Sequence, residues 1–172
     1  MKAVLDKKQV SVLVPTTILA EQHYRSFTDR LERFGVRCAS LSRFRSKKEQ
    51  TAILKDLAEG KIDVLIGTHR ILSKDVIFKD IGLLIIDEEH RFGVAAKERL
   101  RELRANIDTL TLTATPIPRT LNFSLLGARD LSVMETPPRN RLPVSTEVVP
   151  GFDSAAVGEA MKRELARGGQ IY

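Results

Sequence analysis

Hydrophobic and polar positions along the chain follow two periods in turn. Short apolar runs rich in valine and isoleucine predict β-strands, and stretches with apolar residues three and four positions apart predict amphipathic helices. The predicted strands occupy residues 9–15, 36–42, 62–68, 81–88, 108–115 and 130–135. The predicted helices occupy residues 16–35, 46–60, 94–103, 118–127 and 153–167.

Two of the strand segments, IDVLIGT (62–68) and IGLLIIDE (81–88), are apolar on both faces. Such strands are typical of a parallel sheet that is covered by helices on both sides. The alternation of strands and helices predicts a doubly wound α/β domain with three layers, α/β/α, around a mainly parallel sheet. We predict that this domain spans residues 1–136, that the proline- and arginine-rich segment 137–143 is a linker, and that residues 144–172 begin a second unit.

Charge and cysteine content narrow the class of protein only slightly. The net charge of +6 favours a polyanionic partner such as nucleic acid, although such basicity is also common in proteins that bind none. A single cysteine, Cys38, excludes a disulfide within the chain and fits a reducing cytosol. The chain has no apolar run near the ~20 residues of a membrane span, and its first residues lack a signal-peptide core. We therefore expect a cytoplasmic protein with no membrane partner.

The stretch LLIIDEEH (83–90) runs from a buried-strand pattern directly into three acids and a histidine. Ligands of open parallel sheets bind beyond the carboxyl ends of the strands, and these acids lie at such an end. Asp87 could hold Mg²⁺ through water, and Glu88 could orient a water for attack on a phosphate. Taken alone, the stretch fits equally well as acids that favour a helix N-terminus.

Three further segments follow predicted strands in the same way. PTTILAEQH, GTHRIL, DEEHRFG and TATPIPRT each lie where a parallel strand ends, so we expect all four to converge on one edge of the sheet. Together they resemble motifs Ia, Ib, II and III of superfamily 2 helicases and translocases. DEEHRFGV, TATPIPRTL and SRFRSKKEQ resemble the bacterial transcription-repair coupling factors more narrowly, and the RecG branch-migration helicases are the next nearest family.

The resemblance implies a RecA-like ATP-binding domain, the first of two motor domains, that uses ATP and Mg²⁺. Asp87 would contact Mg²⁺ through water, and Glu88 would act as the base that positions the hydrolytic water. His90 would connect the nucleotide site either to motif III or to the second motor domain and would sense the γ-phosphate. Thr113 and Thr115 would couple hydrolysis to movement. Without the resemblance, the two threonines fit a capped turn at a strand end equally well. A zinc site is not indicated, because the histidines share no ligand spacing.

The same resemblance implies contacts with the backbone of double-stranded DNA. Short hydroxyls, glycine and helix N-terminal amides can bind phosphate without recognising a base, as a motor that steps along any sequence requires. The implied DNA-binding residues are Thr16, Thr17, Arg43, Arg45, Gly67, Thr68, His69 and Arg119. For Arg43 and Arg45 a solvated basic turn is an equally good interpretation. Arg119 would reach either DNA phosphate or the neighbouring domain.

One expected element is missing from the 172 residues: the phosphate-binding loop G-x-x-x-x-G-K-[ST]. The Gly60-Lys61 pair is followed by Ile62 and does not fit it. We therefore expect a truncated motor domain that lacks the strand carrying this loop and has no ATPase activity by itself. Loss of that strand would leave a parallel edge unpaired, which invites a strand-exchanged homodimer.

For the whole protein, the resemblance implies a DNA translocase that displaces stalled RNA polymerase and recruits excision-repair proteins. Two alternatives remain at this point: a RecG-like branch-migration helicase, and a passive DNA-binding module. A magnesium-dependent nuclease is disfavoured, since consecutive acids at one strand end cannot easily surround two metal ions.

Overall fold

A computed structural model describes residues 1–104, 107–114, 130–136, 144, 146, 148 and 151–172. Its contacts divide the chain into two units, Met1–Asp130 and Leu131–Tyr172. The two units are described separately, and the first contains the sheet.

The first unit is built on a five-stranded parallel sheet. The strands are β1 Gln9–Leu13, β2 Cys38–Leu41, β3 Val64–Gly67, β4 Ile81–Asp87 and β5 Asp108–Leu112. Their order across the sheet is β2-β3-β1-β4-β5, and every neighbouring pair is parallel. The predicted α/β architecture with a parallel sheet is therefore confirmed.

Helices lie before β1 and between successive strands, except between β3 and β4, where a 3₁₀ turn takes their place. They are α1 Lys2–Leu5, α2 Thr17–Leu31, α3 Lys47–Ala58 and α4 Val94–Arg104. Short 3₁₀ turns occupy Glu32–Phe34, His69–Leu72 and Glu89–Arg91. None of the helices in the described part of the chain is long and apolar enough to cross a bilayer.

Side-chain caps fix where the long helices begin. Ser46 and Glu49 form the capping box that the sequence predicts: the Glu49 amide donates to Ser46 Oγ at 3.3 Å, and the Ser46 amide donates to Glu49 Oε2 at 2.7 Å. Thr16 caps α2 by accepting from the Leu19 amide at 3.2 Å. Each cap satisfies an amide that the helix itself cannot bond, so α2 and α3 start at defined residues.

The core lies on both sides of the sheet, because successive residues of a strand point to opposite faces. Val10, Val12 and Val14 pack with α2 and α1 on one side. On the other side, Leu13 belongs to a cluster beneath α4, and Leu65 belongs to a cluster beneath α3. These two helical layers around one sheet are the three layers that the sequence predicts.

Some predicted elements differ or lie outside the described residues. The predicted strand at 130–135 is wrong: these residues form no regular structure, and Val133 and Met134 are 71% and 90% exposed. Its alternating pattern has no strand to pair with in the described part of the chain. The predicted helix at 118–127 and the linker at 137–143 fall outside the described residues.

The second unit contains one helix among its described residues, α5 Ser154–Ala166, as predicted. Asp153 caps it, with Oδ1 accepting from the amides of Ala155 and Ala156 at 2.9 and 3.2 Å. The assignment of this unit to a second motor domain stays a prediction.

A buried glutamine joins three connections at the amino ends of the strands. Gln9 is 5% exposed, and its Nε2 donates to the carbonyls of Leu57 and Ile62 at 2.9 and 2.8 Å. Its Oε1 accepts from the amides of Lys79 and Asp80 at 2.7 and 3.0 Å. The side-chain amide thus satisfies four backbone groups that the sheet does not pair, and it anchors the edge opposite the strand carboxyl ends.

We expect Gln9→Leu to lower the free energy of unfolding by about 3 kcal/mol, because the Ile62 carbonyl and the amides of Lys79 and Asp80 would lose this partner. The Leu57 carbonyl would keep the Gly60 amide as a donor. The exposed Gln22 on α2 provides the control, and Gln22→Leu should change stability little. Urea unfolding of both variants measures the difference. Equal effects of the two substitutions would show that the buried amide does not anchor this edge.

Candidate functional site

The carboxyl ends of β1, β3, β4 and β5 lie at one edge of the sheet, since these strands are parallel and adjacent. Leu13 at the end of β1 is paired with both Gly67 and Ile86, and Asp87 is paired with Leu112. The segments that follow these strands therefore begin side by side, as we expected from the sequence. For the fourth of them, the structure describes only Thr113 and Ala114.

The acidic segment makes a sharp turn directly after β4. Asp87 is the last residue of the strand, and Glu88 has the left-handed backbone conformation, with φ 52° and ψ 50°. This conformation is uncommon for a residue other than glycine and costs of the order of 1 kcal/mol. The Glu88 amide donates to the Leu112 carbonyl at 2.9 Å, which holds the turn against the end of β5.

The Glu88 side chain strengthens the same connection. Its Oε1 accepts from the Ala114 amide at 2.9 Å, and its Oε2 lies 3.2 Å from His90 Nδ1. Glu89 adds a weaker contact, since its Oε2 accepts from the Thr111 hydroxyl at 3.4 Å. The acidic turn and the segment after β5 are thus bonded together. Thr113 lies within this connection, next to Ala114, whereas Thr115 and Arg119 fall outside the described residues.

Asp87 has a partner that the sequence does not predict. Its Oδ2 lies 3.0 Å from Nε2 of His23, and both side chains are mostly buried, with exposed fractions of 18% and 24%. The His23 ring also lies against Phe27, with 6.2 Å between ring centroids. The sequence gives no signal for this contact, because a contact between residues 64 positions apart leaves no local pattern.

The oxygen donors of this edge fit Mg²⁺ held through water. Mg²⁺ keeps several waters and uses one or two carboxylates together with phosphate oxygens, so it does not require a cage of protein ligands. Among the described residues no group of three metal-ligating side chains occurs. Asp87, with Oδ1 making no hydrogen bond within the described part of the chain, is the carboxylate that fits this role.

A cleft of about 470 Å³ opens at the same edge of the sheet, beyond the carboxyl ends of β1, β2 and β3. Five of the predicted DNA-binding residues line it, together with Pro15, Gln50 and Arg70. The five are Thr16, Thr17, Arg43, Thr68 and His69. Arg45 lines an adjoining cleft of about 490 Å³ with Thr17 and Phe44. The structure thus brings together residues from three separate segments of the chain.

Gly67 lies at the buried end of β3 rather than in the cleft lining. A Cβ at this position would clash with the carbonyl oxygen of Leu41 and press on the Ile71 side chain. Close packing of β2 against β3 and the following turn therefore accounts for this glycine. Its predicted contact with DNA stays a prediction.

Arg70 in the cleft lining is a charged residue that the sequence reasoning missed. Its Nη1 and Nη2 donate to the two oxygens of Asp75 at 2.7 and 2.6 Å, and its Nε donates to Gln50 Oε1 at 3.2 Å. The bond from Arg70 holds the pKa of the Asp75 carboxyl below its ordinary value. Gln50 also donates to the Arg45 carbonyl at 3.0 Å. Arg70 is therefore neutralised and fixed, and Arg43, with no ion pair among the described residues, is the available cation of this cleft.

The chain is similar to known proteins over nearly its whole length. The family model for the DEAD/DEAH box helicase matches residues 1–123. Transcription-repair-coupling factors are similar to nearly all of it: the chain is 60% identical to that of Bacillus subtilis (strain 168) over 171 residues and 62% identical to that of Escherichia coli (strain K12) over 170 residues. Both matches cover 99% of this chain, which spans 14% and 15% of those relatives.

Solved structures show the same architecture. RecG bound to a three-way DNA junction superposes with a TM-score of 0.74 and 38% identity, covering 98% of this chain and 23% of that chain. The Pyrococcus furiosus Hef helicase domain has a TM-score of 0.52 at 16% identity, covering 73% of this chain and 26% of that one, and shows the fold alone.

The connection between the acidic turn and β5 can be tested at one amide. We expect Glu88→Ala to raise the hydrogen-exchange rate of the Ala114 amide about tenfold, because that amide loses its acceptor. Glu88→Gln keeps an acceptor oxygen at the same position and should leave the rate near that of the wild type. Exchange measured by NMR distinguishes the two variants. Equal protection in both would mean that Ala114 is held by other contacts.

Proposed function

The chain belongs to the DEAD/DEAH box helicase family, and from this membership we propose that it is part of an ATP-driven double-stranded DNA translocase of the transcription-repair coupling type. The observation that carries the proposal is the shared edge of the sheet, where the acidic turn follows β4 and the neighbouring strands end at the cleft lined by Thr16, Thr68 and Arg43. The chain spans about 15% of its relatives, so the activity of the whole protein is part of the proposal.

On the nucleotide side, Asp87 would hold Mg²⁺ through water, and the ion would neutralise charge on the phosphates when bound. Glu88 would orient the hydrolytic water. Its carboxylate is held by the Ala114 amide and His90, so presenting one oxygen to water requires exchange of one of these partners. His90, Thr113 and Thr115 would pass that exchange to the segment after β5.

On the DNA side, the bonds go to phosphate and not to bases. Thr16 caps the N-terminus of α2, and Thr16 and Thr17 line the cleft, so the helix begins there. The backbone amides at a helix N-terminus can bind anions such as phosphate. Arg43 would add the charge, and Thr17, Thr68 and His69 would add short polar contacts. Gly67, Arg45 and Arg119 complete the predicted DNA-binding set. Contacts of this kind suit a motor that moves along any sequence.

The proposed role of the whole protein follows the relatives of highest identity given above. It would displace stalled RNA polymerase and recruit excision-repair proteins in the cytoplasm. A RecG-like helicase acting on branched DNA is the second candidate, supported by the superposition on RecG at 38% identity. The coupling type is favoured because identity to the coupling factors is 60–62% over the same residues. The strand-exchanged homodimer stays a prediction.

We expect the 172-residue chain to have no measurable ATPase activity, because its sequence contains no G-x-x-x-x-G-K-[ST] loop to hold the β- and γ-phosphates. Phosphate release is measured with and without duplex DNA, and Glu88→Gln serves as the control for contaminating activity. Turnover that DNA stimulates and Glu88→Gln abolishes would contradict this expectation.

DNA binding by the chain should depend on the cation of the cleft. We expect Arg43→Ala to weaken binding of all duplex sequences equally and to lower the slope of log Kd against log salt by about 1, as loss of one phosphate contact predicts. Arg33→Ala is the matched control: both arginines are exposed and lie over a following phenylalanine, at 4.7 Å for Arg33 and 5.6 Å for Arg43. Arg33 follows α2, at the amino ends of the strands.

Fluorescence anisotropy over a salt series measures both slopes. Equal slopes for the two variants would remove Arg43 from the DNA path. In the translocase, Mg-ATP or an analogue should change DNA affinity; a full-length protein whose DNA affinity is indifferent to nucleotide would instead support the passive DNA-binding module.

A further inference from the structure

Helix α2 touches both halves of the proposed site. It begins at Thr16 and Thr17 in the cleft, and His23, seven residues after its cap, contacts Asp87 in the acidic turn. At a rise of about 1.5 Å per residue, the two contacts are roughly 10 Å apart along one helix. A displacement of the helix N-terminus therefore reaches Asp87 through a rigid element, without passing through the sheet.

The contact of His23 with Asp87 is well placed to fix the carboxylate. An aspartate side chain has a broad torsion about its last bond, so a carboxylate at a strand end is free to rotate. Nε2 of His23 lies within hydrogen-bond distance of Asp87 Oδ2, at 3.0 Å. Oδ1 of the same carboxylate is left to face a water or ligand. The histidine ring is itself supported by Phe27, which is also half-buried on α2. The plane of the Asp87 carboxylate is thus set by the position of α2.

A purely structural histidine would not need this partner. The side chains of Val12, Val14 and Ala20 already pack α2 against the sheet without polar contacts. Asp87 and His23 retain exposed fractions of 18% and 24%, so both side chains still reach solvent at the edge of the sheet. The contact adds little to packing, and its consequence is the orientation of one carboxylate.

We propose that His23 is a positioning residue that couples DNA contact at the start of α2 to the orientation of Asp87. This inference rests on the proposed function, since it needs both a DNA ligand in the cleft and a nucleotide at the acidic turn. His23 touches neither ligand. It transmits movement of α2 to the carboxylate, and by linkage the same contact transmits nucleotide binding back to the DNA cleft.

The test is an equilibrium one, in the full-length protein of which the proposed function makes this chain a part. The affinity for a duplex is measured by anisotropy with and without Mg²⁺ and a non-hydrolysable ATP analogue, and the ratio of the two Kd values gives the coupling. His23→Leu removes the bond, His23→Gln keeps a donor that can reach Asp87, and Thr28→Val on the same helix is the control.

We expect His23→Leu to reduce the coupling ratio about tenfold, as loss of one bond to a charged group predicts, while Kd for DNA without nucleotide stays near that of the wild type. His23→Gln should restore most of the ratio, and Thr28→Val should leave it unchanged. If His23→Leu lowers the melting temperature strongly, His23→Asn makes the same test with a polar side chain too short to reach Asp87.

The outcomes separate the two proposals. A wild-type protein whose DNA affinity does not respond to nucleotide would overturn the proposed function itself. A wild-type protein that responds, together with an equal response in His23→Leu and His23→Asn, would overturn the role of His23 alone. An equally low coupling ratio in His23→Gln and His23→Leu would also count against the role of His23, because the hydrogen bond to Asp87 would then not be what maintains the coupling.

Discussion

The parallel pairing of β1, β4 and β5 is the constraint on which the rest of the molecule depends. It places Leu13 beside Ile86 and Asp87 beside Leu112, so the chain leaves each of these strands at the same edge. Residues far apart in sequence then meet without a long connection. A shift of one residue in the register of β4 would exchange the side chains that face α2 with those that face α4, and it would move Asp87 away from both Leu112 and His23.

The left-handed backbone of Glu88 shows how this edge balances strain against bonding. The conformation is unfavourable for glutamate, yet it lets the amide reach Leu112 and the carboxylate reach Ala114. Two such bonds, each contributing of the order of 1 kcal/mol, offset the backbone cost. A glycine would adopt the turn more easily but would offer no carboxylate. The strain is therefore the consequence of requiring an acid at this position.

The sequence was sufficient for whatever depends on local pattern. The five strands, the capping box at Ser46 and the helix after Asp153 follow from periodicity and caps, and the convergence of four segments follows from parallel topology. The strand prediction for residues 130–135 was wrong, because alternation of apolar and polar residues indicates a strand only where a neighbouring strand can pair with it. Two sets of side-chain contacts could not be predicted from the sequence. The contact of His23 with Asp87 depends on the fold, which brings together residues 64 positions apart. The contacts of Arg70 depend on side-chain rotamers, which leave no periodic pattern in the sequence.

In the proposed function, this edge would bind two polyanions, a nucleotide and DNA, and the charges along it differ in how they are paired within the protein. Arg70 is neutralised by Asp75, and Asp87 is held by His23, so each of these two charges is already bonded to a partner within the protein. Arg43, farther along the loop before α3, has no such partner in the described part of the chain. In the proposed function, Arg43 is therefore the residue of this cleft that would attract DNA phosphate. The contact of His23 with Asp87 connects α2, whose first residues line the cleft, to the acidic turn.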